Sequence, residues 1–327
     1  MSFFAIGVDL GGTNLRIAAV DQNGNQLETI TTSTEVKRGR DSVIRDMCRD
    51  IKTLQQKYES QYHFAGTGIG VPGIIDLETG TVRESPNLPD WQDFPVREEI
   101  ERCLGARVFL ENDANVAALG EQWLGAGKDF NSMCMLTLGT GVGGGIVLNQ
   151  RIWHGMTGMA GELGHMTVDP NGPPCGCGGR GCLEQYASAT AIKRMSLEAI
   201  SAGSAPELGR AMNANPEFSA KFVFQMSING DAAAQQIFRT VGWALGIILA
   251  DVVNAFNLPV YVIGGGVAAA WEAFAPAMLS ELELRSFVFR ATQSASSRRK
   301  TLITRALLGS DAGLIGAAYL PIQAQET

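Results

Sequence analysis

No stretch of the 327-residue chain reaches the run of about 18 apolar residues expected of a membrane span. An excess of positive charge is missing as well. Lys and Arg number 26 against 33 Asp and Glu, a net charge of -7, which argues against nucleic acid or an anionic membrane surface as the main partner. The N-terminus, MSFFAIGVDLGGT, lacks the basic region and long apolar core of a signal peptide, so a cytoplasmic protein is expected. No G-x-x-x-x-G-K-[ST] occurs, which excludes a Walker P-loop. Of six cysteines, Cys48, Cys103 and Cys134 are scattered, whereas Cys175, Cys177 and Cys182 crowd together. In a reducing compartment that pattern suggests a metal rather than a disulfide framework.

Glycine, in contrast, is in surplus: 39 residues, about 12% of the chain against a usual ~7%. Backbone N–H groups at glycine turns hold phosphates without adding a cation, so the acidic balance leaves phosphate ligands open. With 45% hydrophobic and 18% charged residues the composition is globular, and the length suits two domains.

The pattern predicts strands over 3–8, 15–20 and 26–31, the first two joined by Asp9-Leu-Gly-Gly-Thr13. A helix follows over 41–60, with Val43, Ile44, Met47, Ile51 and Leu54 on one stripe and Asp41 as N-cap. Strands are expected over 66–71 and 107–110, and a helix from Asp113 to about Leu124. Residues 134–148, CMLTLGTGVGGGIVL, repeat the opening design, a strand, a Gly/Thr turn and a strand, with Leu138-Gly139 aligned on Leu10-Gly11. Val241 to Phe256 is apolar nearly all round and should form a buried central helix. Residues 259–263 read as a strand entering Gly264 to Gly266, and 312–320 as a C-terminal helix expected to pack on the first half.

Glycines of the first loop let amides approach a phosphate, Thr13 adds a hydroxyl donor, and Asp9 could take Mg²⁺. The same residues also suit an ordinary hairpin. The second loop contains a formal G-x-G-x-x-G at Gly139, Gly141 and Gly144, but Ile146 to Leu148 continues as a strand where a dinucleotide fold needs a helix. Two strand-turn-strand loops then read as two phosphate clamps. The third glycine loop could admit a base or ribose, or be a plain turn.

Asp113, between a strand and a helix, stands where an N-cap belongs, and the same carboxylate could take a proton from a substrate hydroxyl. Sequence does not choose between these. The strongest local signal is His165 with Cys175, Cys177 and Cys182, one imidazole and three thiolates that satisfy tetrahedral Zn²⁺ in a glycine-rich knuckle. Four protein ligands make such a site structural. Glu162 and Glu184 flank it; they are either exposed glutamates with no role, the usual case, or carboxylates placed by the metal as acceptors for vicinal sugar hydroxyls. Trp153 and His154 read as packing residues.

Taken together, DLGGTNLR at 9–16, ENDAN at 111–115, LGTGVGGG at 138–145, GELGH at 161–165 and CGCGGRGCLE at 175–184 resemble the ROK family of sugar kinases, repressors and unclassified open reading frames. The likeness spans almost the whole chain, in order, and is closest to the bacterial members that phosphorylate glucose. It implies an α/β, actin-like or hexokinase-type (ribonuclease H-like) two-domain fold with a central cleft and a small zinc knuckle. The expected domains are 1–118 plus 311–327, the smaller, and 119–310, the larger, carrying the zinc element at about 161–185.

By that resemblance Asp113 is the catalytic base, and Asn112, Asp113, Glu162, His165 and Glu184 bind sugar hydroxyls, as does Asn87, whose match is looser. His165 then serves both zinc and sugar. Asp9, Gly11, Gly12, Thr13, Thr140 and Gly141 correspond to phosphate positions, and Gly265 and Gly266 lie near the nucleotide. The implied reaction is in-line transfer from Mg-ATP to the 6-hydroxyl of a hexose, most of all glucose, with ATP, Mg²⁺ and a structural Zn²⁺ as cofactors and a homodimer as the common assembly. N-acetylmannosamine, mannose, fructose and allose kinases share these motifs. Family repressors carry an added helix-turn-helix region before the phosphate strand, which here begins by residue 5, so DNA binding is not expected. A non-catalytic sugar sensor would keep every binding residue.

Overall fold

A computed structural model describes residues 2–214 and 218–325. The chain opens with strands β1 (Phe3–Leu10), β2 (Asn14–Asp21) and β3 (Gln26–Ser33), helix α1 (Arg40–Tyr58) and strand β4 (His63–Val71). A hairpin of β5 (Ile74–Asp76) and β6 (Thr81–Glu84), helix α2 (Val96–Leu104), strand β7 (Val108–Asn112) and helix α3 (Asp113–Trp123) follow. Next come β8 (Met133–Leu138), β9 (Val142–Leu148) and β10 (Arg151–Ile152), then helices α4 (Glu184–Ala187), α5 (Ala189–Ser201), α6 (Pro206–Ala214), α7 (Ala220–Ile228) and α8 (Ala232–Phe256). Strand β11 (Val260–Gly264), helices α9 (Trp271–Arg285) and α10 (Phe287–Gln293), strand β12 (Leu302–Arg305) and helix α11 (Ala312–Gln325) complete the chain.

The internal repeat seen in the glycine loops extends to topology. One five-stranded sheet has the order β3-β2-β1-β4-β7 and the other β10-β9-β8-β11-β12, so both follow the same path. In the first, an antiparallel meander leads and the remaining strands pair in parallel; in the second, β10 pairs antiparallel with β9, and β11 pairs in parallel with β8 and β12. Two compact units result: Met1–Met133 with Gly145–Gly161 and Leu307–Thr327, and Cys134–Gly144 with Glu162–Ala306.

The first unit's sheet is covered on both faces, and its sequence alternation shows how. Phe4, Ile6, Val8 and Leu10 point to one side, where α1 buries Val43, Met47, Ile51 and Leu54 against them. Ala5 and Ala18 point to the other, into a cluster with Leu119, Leu314 and Ala318 from α3 and α11. Small residues on that face let helix backbone come close: a Cβ on Gly7 would stand 2.2 Å from the Leu314 carbonyl oxygen. The α3–α11 crossing is tighter still, since a Cβ on Gly316 would overlap the Val116 carbonyl.

Helix α1 starts one residue earlier than expected and without a side-chain cap. Gly39 occupies the N-cap position, and Asp41 sits in the first turn, where it favours the dipole without capping. In the second unit α8 matches the expected buried helix. It is long and apolar enough to cross a membrane, yet 72% of that apolar window is buried within the protein, as in the central helix of a packed core.

Candidate active site

In the first unit the candidate positions gather at the C-terminal ends of the parallel strands β1, β4 and β7, where open α/β sheets place their ligands. Register sets them side by side: Asp9 of β1 is opposite Gly70 of β4, and Val71 is opposite Asn112 of β7. The loop after β1 is laced shut by Thr34, a buried residue that sequence reasoning did not single out. Its hydroxyl donates to the Gly11 carbonyl at 2.6 Å and its amide to the Thr13 carbonyl at 2.9 Å. Asn87 lies over this loop, since a Cβ on Gly12 would meet the Asn87 carbonyl oxygen at 2.9 Å.

Burial raises the Asp9 carboxyl above its ordinary range, and the charge of Arg16 offsets part of that rise. Arg16 is the cross-strand neighbour of Asp9, but its guanidinium bonds to the Ser310 carbonyl and the Asp311 carboxylate. A Cβ on Gly313, in the first turn of α11, would lie 3.5 Å from the Asp9 carboxylate.

The open question at Asp113 resolves in favour of its neighbour. Asn112 is the N-cap of α3: its side-chain oxygen accepts from the amides of Ala114 at 2.9 Å and Asn115 at 3.2 Å. Its side-chain nitrogen donates to the Gly73 carbonyl at 3.1 Å, tying β7 to the loop after β4. Asp113 is the first helical residue, and its Oδ1 accepts from the Ala114 amide at 2.9 Å. The helix start therefore does not depend on Asp113.

Two acidic residues in this unit escaped the sequence reading. Glu121, fully buried in α3, accepts from the amides of Ala126, Leu307 and Leu308, stapling the approach to α11. Glu111, at the end of β7, lies 2.6 Å from the Nε2 of His154, which is thus more than a packing residue. Glutamates two residues before a helix or near the end of one carry no sequence signal of burial, because their partners are 43 and 186 positions away.

In the second unit the loop between β8 and β9 is held by its own turn, with the Gly139 amide donating to the Gly141 carbonyl at 2.9 Å. From α5 the Ala189 amide donates to the Gly139 carbonyl and the Thr190 hydroxyl to the Thr140 carbonyl, each at 2.8 Å. Glu184 reaches the same loop, its Oε2 accepting from the Val142 amide at 3.0 Å. Gly265 has φ +82°, and a Cβ there would stand 2.5 Å from the Leu138 carbonyl oxygen. Only glycine lets the loop after β11 lie against the end of β8.

His165, Cys175, Cys177 and Cys182 converge, with one ligand atom of each lying within 4.8 Å of all the others. Around a tetrahedral zinc with ordinary bond lengths two thiolates stand about 3.8 Å apart, and a thiolate and an imidazole nitrogen about 3.5 Å. The Cys177–Cys182 sulfurs are 3.7 Å apart and Cys175 Sγ is 3.6 Å from His165 Nδ1, so the residues fit the ion. Tight turns build the knuckle: the Cys175 amide donates to the Gly179 carbonyl and the Gly178 amide to the Cys175 carbonyl. With Nδ1 of His165 turned to the thiolates, its Nε2 faces Glu162 at 3.9 Å.

The ROK family model matches residues 5–324. The chain is 39% identical over 316 residues to a glucokinase of Thermotoga maritima, covering 96% of each. Among solved structures it is similar to a ROK hexokinase from Thermus thermophilus, with TM-score 0.83, 35% identity and full coverage of both chains. A ROK family glucokinase from Streptomyces griseus, in complex with glucose and AMPPNP, superimposes with TM-score 0.79 at 32% identity, covering 98% of this chain and 99% of that one. On motif order, duplicated sheet topology and full-length similarity alike, the chain belongs to the ROK family.

Proposed function

We propose that this protein is an ATP-dependent glucokinase that transfers the γ-phosphoryl group of Mg-ATP to the 6-hydroxyl of glucose. The observation that carries the mechanism is Asp113, a carboxylate at the end of β7 whose helix is already capped by Asn112. As general base, Asp113 accepts the proton of the attacking hydroxyl, and the Asn112 side chain orients a neighbouring hydroxyl. Asn87 completes the sugar contacts offered by the first unit.

Glu162, His165 and Glu184 hold further sugar hydroxyls. His165 can serve two partners because its ring nitrogens face different ways: Nδ1 lies beside Cys175 and Nε2 beside Glu162. A neutral imidazole bound to a metal through Nδ1 keeps an Nε2–H to donate. Bound to His165, Cys175, Cys177 and Cys182, zinc supplies rigidity rather than Lewis-acid chemistry, because four protein ligands leave no open position. Gly11, Gly12, Thr13, Thr140 and Gly141 present donors to the phosphates, and Gly265 and Gly266 leave room beside the nucleotide.

Asp9 takes the Mg²⁺ of Mg-ATP directly or through water, and its burial makes the assignment testable. An acid whose folded pKa is raised costs stability in its ionised form, and the cost vanishes below the unfolded value of about 3.9. At pH 7 Asp9→Asn is therefore expected to raise the thermal midpoint by a degree or more while raising the KM for Mg-ATP by roughly 10-fold. A lower midpoint with unchanged KM would make Asp9 a structural residue.

The reading as a whole is tested by coupled ADP release with Mg-ATP and a panel of glucose, mannose, fructose, allose, N-acetylglucosamine and N-acetylmannosamine. Preference for glucose is expected. Preference for an N-acetylated sugar would keep the mechanism and change the substrate, and no turnover by folded, zinc-loaded protein would indicate a sugar sensor.

A further inference from the structure

Glu111 and His154 have no part in the mechanism above, yet they form a network directly behind its base. Glu111 is 3% exposed, and both of its carboxylate oxygens are engaged. Oε1 accepts from the Asn112 amide and from the Asn115 side-chain nitrogen, each at 2.9 Å, so the residue before Asp113 and a residue two beyond it hang on one oxygen. Oε2 lies 2.6 Å from His154 Nε2, in the loop after β10. A carboxylate buried this deeply keeps its charge only with a cation or several donors beside it.

We propose that Glu111 and His154 are positioning residues for phosphoryl transfer, the His154 imidazolium holding the Glu111 carboxylate in place so that Glu111 fixes the β7–α3 junction carrying Asn112 and Asp113. The proposal rests on Asp113 being the base. Without the imidazolium, Glu111 Oε2 loses its charged partner and the carboxylate is free to swing toward solvent, giving up its contacts to Asn112 and Asn115. Asn112 and Asp113 then lose their common anchor, and a displacement of about 1 Å from reactive geometry costs on the order of 100-fold in rate.

Glu111 is the charged group acting on His154; of the ionisable residues on the adjoining elements, Arg151 lies in β10 just before it and Asp113 opens α3, which packs against β10. The hydrogen bond that His154 donates to Glu111 raises the His154 pKa, against a smaller opposing effect of burial. The sign follows: the charged pair is complete below the ordinary histidine value of about 6.5 and is lost as pH rises through the raised folded value.

The test is steady-state kinetics of His154→Gln, His154→Arg, Glu111→Gln and the His154→Gln/Glu111→Gln double variant between about pH 6 and 9. Wild-type kcat is expected to fall on the alkaline side with one ionisation. His154→Gln should lower kcat by roughly 10-fold or more, with KM for Mg-ATP within about twofold, and should lack that ionisation. His154→Arg keeps the cation, so it should recover most of kcat and carry activity to higher pH. The double variant should lose no more than the worse single variant.

An alkaline limb that persists in His154→Gln, wild-type kcat in that variant, or additive losses would overturn the proposal. The His154 side chain is 40% exposed, so its variants remain informative even if Glu111→Gln fails to fold. Failure of the base assignment itself reads out separately, as turnover retained by Asp113→Asn.

Discussion

Asp113→Asn is expected to end phosphoryl transfer while leaving sugar binding in place. The carboxamide has nearly the size of the carboxylate and can still accept the Ala114 amide that Asp113 Oδ1 accepts at 2.9 Å. It cannot take a proton from the attacking hydroxyl. General-base assistance contributes about 10²- to 10⁴-fold, so kcat should fall by that factor. Helix α3 should be undisturbed, because Asn112 supplies its cap. Coupled ADP release gives kcat, and calorimetric titration with glucose should show an affinity within a few-fold of wild type. Loss of glucose binding and zinc together would mean that Asp113 is structural, and turnover within about threefold of wild type would place the base elsewhere.

The second large effect is expected from Cys177→Ser. Cys177 is exposed whereas Cys175 and Cys182 are buried, so replacing it disturbs little packing and reports on the metal. A serine hydroxyl is a poor zinc ligand, and losing one of four ligands should take the metal content from about one ion per chain to nearly none. Without the ion, His165 has nothing to hold its Nδ1 toward the thiolates, and the Nε2 offered to the sugar is no longer oriented. KM for glucose should rise by about 10- to 100-fold, as when a ligand-orienting contact is removed, with a lower thermal midpoint. KM for Mg-ATP should change far less, since the loop of Thr140 and Gly141 is also held by Ala189 and Thr190. Full zinc content by elemental analysis would overturn the ligand set, and zinc loss with unchanged KM for glucose would detach the knuckle from sugar binding.

These variants differ in how visible their targets are in the chain itself. The knuckle is almost wholly local: three cysteines within eight residues and a histidine ten before the first can meet through tight glycine turns, and the structure brings them together. The glycine loops are equally local, since each is a turn between two adjacent strands. Their repetition extends to two sheets of identical strand order, because the same opening meander sets the same path for the strands that follow.

Asp113 was legible as a position but not as a role. Composition at a strand-to-helix junction is the same for a cap and a base, and only the coordinates show that the cap is Asn112. At α1 the local signal misled, since Asp41 is a good capping residue but the helix begins at Arg40 behind Gly39.

What the sequence determined by itself is whatever depends on near neighbours along the chain: the elements, the alternation of large and small residues across β1, the two glycine loops and the His165, Cys175, Cys177 and Cys182 knuckle. Tertiary structure alone decided the long-range pairings. Glu111 meets His154 across 43 residues, and Glu121 meets Leu307 across 186. A buried carboxylate is written with the same letter as a solvated one. Its charge acquires meaning only from donors that folding brings within hydrogen-bond reach, and nothing in local spacing encodes which distant donors those will be.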